Sequence, residues 1–188
     1  MNQSRISPAD ASVARSVPAS MLEALSAQGP HPEHAEKLTL FGQFVGAWEV
    51  DSVSYLSDGT RETSRGEWHF GWILQGRAVQ DVWIAPSRSE RQESGLEFHE
   101  YGTAVRVYEP SLDAWRVVWM GPIRSRQILF VARQQGDEIV LEGVESDAAL
   151  QWIFSEIEPQ SFRWRAQTST DGGRVWHTVQ EMFLRRLN

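Results

Sequence analysis

A carboxylate and a guanidinium at even spacing on an alternating segment project to one face. Asp81 and Arg77 stand so, in the stretch "RAVQDVW". The same face of that hairpin carries aromatic residues. A carboxylate among tryptophans is pushed up by desolvation and pulled back by a nearby cation, so Asp81 is a candidate general acid or base. Arg77 would stabilise developing negative charge. The same two residues also read as an ion pair at the hairpin rim. His69, with Gln80, lies on the opposite face and becomes the interior base if the faces are inverted. Gln180, Thr178, Thr168 and Tyr101 could hydrogen-bond a ligand, or satisfy backbone groups or buried water. The histidines (His31, His34, His69, His99, His177) show no spaced ligand motif, so no metal is expected. Neither a Ser or Cys nucleophile signature nor a Gly-rich phosphate loop is present, and no cofactor is expected.

The elements that must position these groups alternate with a period of two from Trp48 onward. About ten such segments follow: 46–55, 61–74, 77–85, 102–109, 114–120, 125–134, 138–145, 150–157, 161–168 and 174–186. Turn residues separate them, among them Asp58-Gly59, Gln75-Gly76, Gly136-Asp137 and Asp171-Gly172-Gly173. No long helical pattern intervenes, so parallel crossovers are not expected. An antiparallel meander of this length removes its edges by closing into an up-and-down barrel. The expected fold class is therefore all-β, an antiparallel barrel of about 8–10 strands with short N-terminal helices. The expected organisation is a disordered tail over 1–17, a short helical segment over 18–42 and the barrel over 43–188. "SMLEALSAQG" and "HPEHAEKLTLFGQFVG" are the two helical stretches, the second with Leu38, Phe41 and Phe44 along one side. The polar run from Pro86 to Tyr101 exceeds a hairpin loop and reads as a lid or a disordered insertion.

Parity decides which face is inside. With Gln75-Gly76 as the loop, Trp72 pairs with Val79, Phe70 with Asp81 and Trp68 with Trp83. Trp115 and Trp119 oppose Arg116; Trp152 opposes Gln151; Trp164 opposes Arg163 and Arg165; Trp176 and Thr178 oppose His177. Burying an unpaired arginine is costly, so the tryptophan faces point inward. Trp68, Trp72, Trp83, Trp115, Trp119, Trp152 and Trp164 then become candidate ligand-binding residues, with Gln180 and Tyr101. A barrel of this size has room for side chains and one small ligand. The alternative is that the rings fill the barrel and hold nothing.

Composition narrows the class of partner. The chain has 188 residues, enough for one domain with a core, and a formal net charge of −7. That charge argues against nucleic acid, and no basic amphipathic segment suggests a membrane surface. With no cysteine, disulfides and thiolate chemistry are excluded. No apolar run has the length of a membrane span and the N-terminus lacks a signal-peptide centre, so a cytoplasmic location is expected.

The Gly46-x-Trp48 pair at the head of the first long strand, with "EMFLRRLN" at the end of the last, resembles the signature of lipocalins and the wider calycin superfamily. The resemblance implies that Trp48 closes the base of the barrel and that a terminal arginine, Arg186 by parity, packs across it. "FVGAWEV", "GEWHFGWILQGRAVQDVW", "VRVYEPSLDAWRVVW" and "TSTDGGRVWHTVQEMFLRR" together resemble a bacterial family of calycin-like proteins of unknown function, over residues 40–186. The nitrobindin type carries a longer Gly-x-Trp-x-Gly pattern. Here Glu49, Val50 and Asp51 follow Trp48, which argues against haem. The expected function is capture of a small, mostly apolar, aromatic molecule, with cofactor-independent acid–base chemistry of the isomerase, cyclase or lyase type. The alternative is a non-catalytic carrier or a subunit that forms a homodimer.

Overall fold

The computed structural model describes residues 19–187; the tail expected over 1–17 lies outside the described residues. Two short helices come first, α1 (Ala19–Leu25) and α2 (Ala35–Gly42), with the two-residue strand β1 (Ser26–Ala27) between them. Ten long strands follow: β2 (Gly46–Tyr55), β3 (Arg61–Ile73), β4 (Ala78–Ala85), β5 (Glu100–Glu109), β6 (Ala114–Gly121), β7 (Arg126–Gln135), β8 (Glu138–Glu145), β9 (Ala148–Glu158), β10 (Ser161–Ser169) and β11 (His177–Arg186). Each of these pairs antiparallel with the next, and β11 pairs with β2, so they close a calycin-like barrel. β1 stays outside the ring and extends β3 at Trp72 and Ile73. The hairpin register expected from parity is present: Trp72 faces Val79, Phe70 faces Asp81, and Trp68 faces Trp83.

One end of the barrel is shut. Phe41 of α2 and Phe44 after it are almost fully buried, and Trp48 lies over Phe162 at 4.7 Å. The Trp48 indole donates to the Phe44 carbonyl at 2.7 Å. Arg186, at the end of β11, stacks on the Trp48 ring at 4.1 Å and donates to the carbonyls of Gln43, Val45 and Pro159. A cation–π contact of this kind contributes about 0.5–2 kcal/mol. Gly46 is the condition for it. Its φ is +136°, and a Cβ there would stand 2.6 Å from the Arg186 guanidinium.

Two inferences from parity are corrected. Leu74–Gly76 form a 3-10 turn, so Arg77 leaves the strand, becomes exposed and donates to the Gln75 side chain. It does not share the interior with Asp81. On β11, Ala166 pairs with Gln180 but Gln167 pairs with Thr178, so a bulge at Val179 reverses the alternation before it. Thr178 therefore meets Gln167, and Trp176 precedes the strand, half-buried.

The long Pro86–Tyr101 connection contains a third helix, α3 (Arg88–Ser94). Ser87 caps it by accepting from the Glu90 N–H, and Gly95 ends it with φ +71°. Glu67 on the outer wall of β3 holds its first residue, accepting from both the backbone N–H and the guanidinium of Arg88.

Candidate functional site

Aromatic rings fill most of the barrel. Trp152 meets Phe130 at 4.4 Å, Trp164 at 5.3 Å and Trp119 at 5.6 Å; Trp68 meets Phe70 at 5.0 Å. Of two large hollows among the described residues, one of about 660 Å³ lies against α2 and Tyr108, and the other lies at the end away from α2. Under that mouth, Trp68, Trp83, Trp119, Trp152, Trp164 and Met182 wall a recess of about 40 Å³. Above it is a wider vestibule of about 540 Å³, lined by Ser54 and Ser64 of the barrel, by Pro86, Glu90 and Leu96 of the α3 connection, and by Arg124. Trp83, Glu100, Arg126 and Gln180 line both chambers. The vestibule has the size of an ordinary small-molecule site; the recess does not.

The polar groups at this end are poorly matched. The indole nitrogens of Trp68, Trp119 and Trp164 are buried and have no hydrogen-bond partner among the described residues, and neither has Glu100 Oε1; that of Trp68 acts on the Asp81 carboxyl. Few buried polar atoms in folded proteins go unpartnered. Burial pushes the Glu100 carboxyl above the usual carboxylate range; Arg124, whose nearest nitrogen is 3.9 Å away, and Arg126 pull it back. Arg126 is already committed, with two hydrogen bonds of 2.7 and 2.6 Å to Glu145. Gln180 donates to Ser52 at 3.0 Å. Space beside the unpaired atoms depends on Gly121. A Cβ there would come within 3.0 Å of Glu100 Oε1 and 3.1 Å of Trp119 Nε1.

Asp81 is also interior, but nearer the shut end. Arg106 Nη1 lies 2.5 Å from its Oδ2, and the Ala104 N–H donates to Oδ1 at 3.0 Å. Burial pushes its carboxyl up, opposed by Arg106, by the Trp68 indole and by the Ala104 N–H. The Arg106 guanidinium is boxed by the rings of Phe41, Phe70 and Phe154 at 5.0, 5.4 and 5.9 Å. Such a pair is built into the core, where each charge faces the other, while Arg106 Nε has no hydrogen-bond partner among the described residues.

The structure thus brings Trp68, Trp83, Trp119, Trp152, Trp164 and Gln180 together at the mouth. It places the other sequence candidates elsewhere. Trp72 packs on Gly42 of α2, and Trp115 on Phe41, 5.0 Å away; both belong to the shut end. Tyr101 faces outward and meets Phe98 edge-on. His69 is on the outer wall, 2.8 Å from Glu67 and 3.3 Å from Arg88, so the inverted-face alternative does not hold. Arg77 is on the surface. Sequence reasoning passed over Glu100, Arg126 and Arg106. Strand parity would have found Glu100 and Arg106, which share the inward alternation of Gly102 and Ala104.

Solved structures with a similar fold include the following two. The S-type phycobiliprotein lyase CPES from Guillardia theta is 14% identical, with 85% of this chain and 99% of that one covered and a TM-score of 0.55. Rv2717c from M. tuberculosis is 12% identical over the same shares, 85% and 99%, with a TM-score of 0.56. Identities this low carry the barrel and leave the chemistry open. No protein-family model matches the chain, and no curated protein matches it significantly.

Proposed function

We propose that this barrel binds one small, mostly apolar, aromatic molecule at its mouth. The observation that carries the reading is the set of buried, unpaired indole N–H groups of the recess, those of Trp119 and Trp164 besides the one of Trp68 that acts on Asp81, under a vestibule of about 540 Å³. Trp83, Pro86 and Leu96 offer apolar surface to the body of such a molecule, and Gln180 a polar contact at its edge. The likeness to a lyase of phycobiliproteins agrees with a small-molecule role but does not name a ligand. The test is a tryptophan-fluorescence titration with aromatic compounds, repeated on Ser64→Trp, which fills the vestibule from an inward position of β3. Saturable quenching in the wild type that is lost in Ser64→Trp supports the reading; quenching that persists contradicts it.

Acid–base chemistry on the bound molecule is the second reading. It is favoured by Glu100, a buried carboxyl that holds its proton above the usual range and lines both chambers. Such a group can give a proton to one atom of a ligand and take one from another, an isomerisation that consumes no cofactor. In this reading Glu100 takes the proton-moving part first assigned to Asp81 or His69. Solvent deuterium entering the ligand in the wild type but not in Glu100→Gln supports it. Exchange equal in both proteins removes it and leaves a carrier.

A further inference from the structure

The two chambers differ too much in size to hold the same part of a ligand. A recess of about 40 Å³ admits a very small group and no ring. A ring must stay in the vestibule above. What enters the recess comes among the tryptophans whose indole nitrogens are unpaired, Trp119 and Trp164 besides the Trp68 that acts on Asp81, and an indole nitrogen can only donate. The entering group is therefore an acceptor. A carbonyl oxygen fits two donors, having two lone pairs and no hydrogen of its own.

The surrounding charge selects against an anion. Glu100 stands at the recess, with Glu62 from β3 and Glu90 and Glu97 from the α3 connection around the vestibule. Facing them are Arg124, exposed and donating to the His99 carbonyl, and Arg126, which is held by Glu145. His99 sits exposed at the rim. A carboxylate pushed into this recess would lie beside Glu100 and compete with it for Arg124.

We infer that the mouth selects uncharged aromatic ketones or aldehydes, whose carbonyl oxygen enters the recess and accepts from the indoles of Trp119 and Trp164 while the ring remains in the vestibule. This rests on the mouth being the ligand site, as proposed above. Glu100 adds a pH dependence. Neutral, its carboxyl tolerates a carbonyl oxygen beside it; ionised, it repels one, so affinity falls as pH rises through its elevated value.

Calorimetric titration with three molecules of nearly the same shape separates the possibilities. They are 2-acetylnaphthalene, 2-isopropenylnaphthalene, which replaces the carbonyl oxygen by a methylene, and 2-naphthoate. The ketone is expected to bind on the order of tenfold more tightly than either of the others, the weight of a hydrogen bond to an otherwise unpaired buried donor. Trp119→Phe and Trp164→Phe should weaken the ketone and leave the alkene unchanged. Glu100→Gln should keep ketone binding and remove its pH dependence. Gly121→Ala keeps both indoles and crowds Trp119 Nε1 and Glu100 Oε1, and should also act on the ketone alone if either Phe variant fails to fold. Affinities within about threefold for all three molecules, or equal losses for ketone and alkene in the variants, would overturn carbonyl recognition and leave the mouth site standing. No binding by any of the three would overturn both.

Discussion

Asp81 and Glu100 sit on neighbouring strands, both turned inward and both pushed up by burial, yet their surroundings are opposite. Asp81 has a guanidinium at 2.5 Å, a backbone N–H at 3.0 Å and three phenylalanine rings around its partner. Glu100 has its nearest guanidinium nitrogen at 3.9 Å and one oxygen unpaired. The first arrangement sets charge directly against counter-charge, although Arg106 Nε has no hydrogen-bond partner among the described residues. The second leaves buried polar atoms that something else can satisfy, and it does so where the barrel is open. The two ends follow the same division. At the shut end Trp48 donates to a carbonyl and carries Arg186 on its face; at the mouth Trp119 and Trp164 have donors to spare. A buried charge whose counter-charge is in the fold reads as structure, and unpaired polar atoms beside open space read as a place for a ligand.

Disrupting the buried pair should have the largest effect. Arg106→Met leaves the Asp81 carboxylate buried without its counter-charge and is expected to cost about 3–5 kcal/mol in urea denaturation. Adding Asp81→Asn should return more than half of that loss, because the penalty is the stranded charge. A double variant as unstable as the single one would mean that Arg106 acts through packing.

Glu67 is a carboxylate satisfied at the surface, and it should give a smaller change of opposite pH dependence. The Arg88 guanidinium, against some opposition from burial, holds Glu67 at about 2. A value depressed by folding contributes stability that is present above pH 4.5 and lost as pH falls towards 2. Glu67→Gln should therefore lower stability by about 1–2 kcal/mol at pH 7, discounted because Arg88 is largely exposed, and flatten the acid limb of the pH profile. An unchanged acid limb would show that the clamp on α3 contributes nothing.

Glu100→Gln should have the smallest effect, and its sign is the useful part. A carboxyl raised by folding contributes stability that is full below its unfolded value and is lost as pH rises through its folded one. The variant should thus match the wild type at low pH and exceed it at pH 8 in thermal unfolding. A variant less stable at pH 8 would indicate that the Glu100 charge is well paired, and the contrast with Asp81 would close.

Much of the fold could be read from alternation. The strands from β2 to β11, the β3–β4 register and the inward tryptophans follow from period-two patterning and turn residues, and Gly46, Trp48 and Arg186 form the expected plug. What escaped was local. Arg77 looked inward because a two-residue loop was assumed where a 3-10 turn absorbs it. One bulge on β11 was enough to misplace Trp176 and Thr178. α3 was present in the sequence as Ser87-x-x-Glu90 and Gly95, a capping box and a stop, but a polar run without apolar period obscured it. The site suffered most from that run. It hid the start of β5, so Tyr101 was considered and its inward neighbour Glu100 was not. The partner of Asp81 was missed because it comes from the next strand, diagonally across the register, where Val79 faces Arg106.

The most direct test of the mouth as ligand site is a ¹H–¹⁵N spectrum of the indole N–H groups during titration with the tightest-binding aromatic compound. The signals are assigned by Trp119→Phe, Trp164→Phe and Trp48→Phe. The Trp119 and Trp164 indole signals should move downfield as they gain an acceptor, while that of Trp48, at the shut end, stays in place. Movement confined to Trp48, or no movement of Trp119 and Trp164 at saturation, would contradict it.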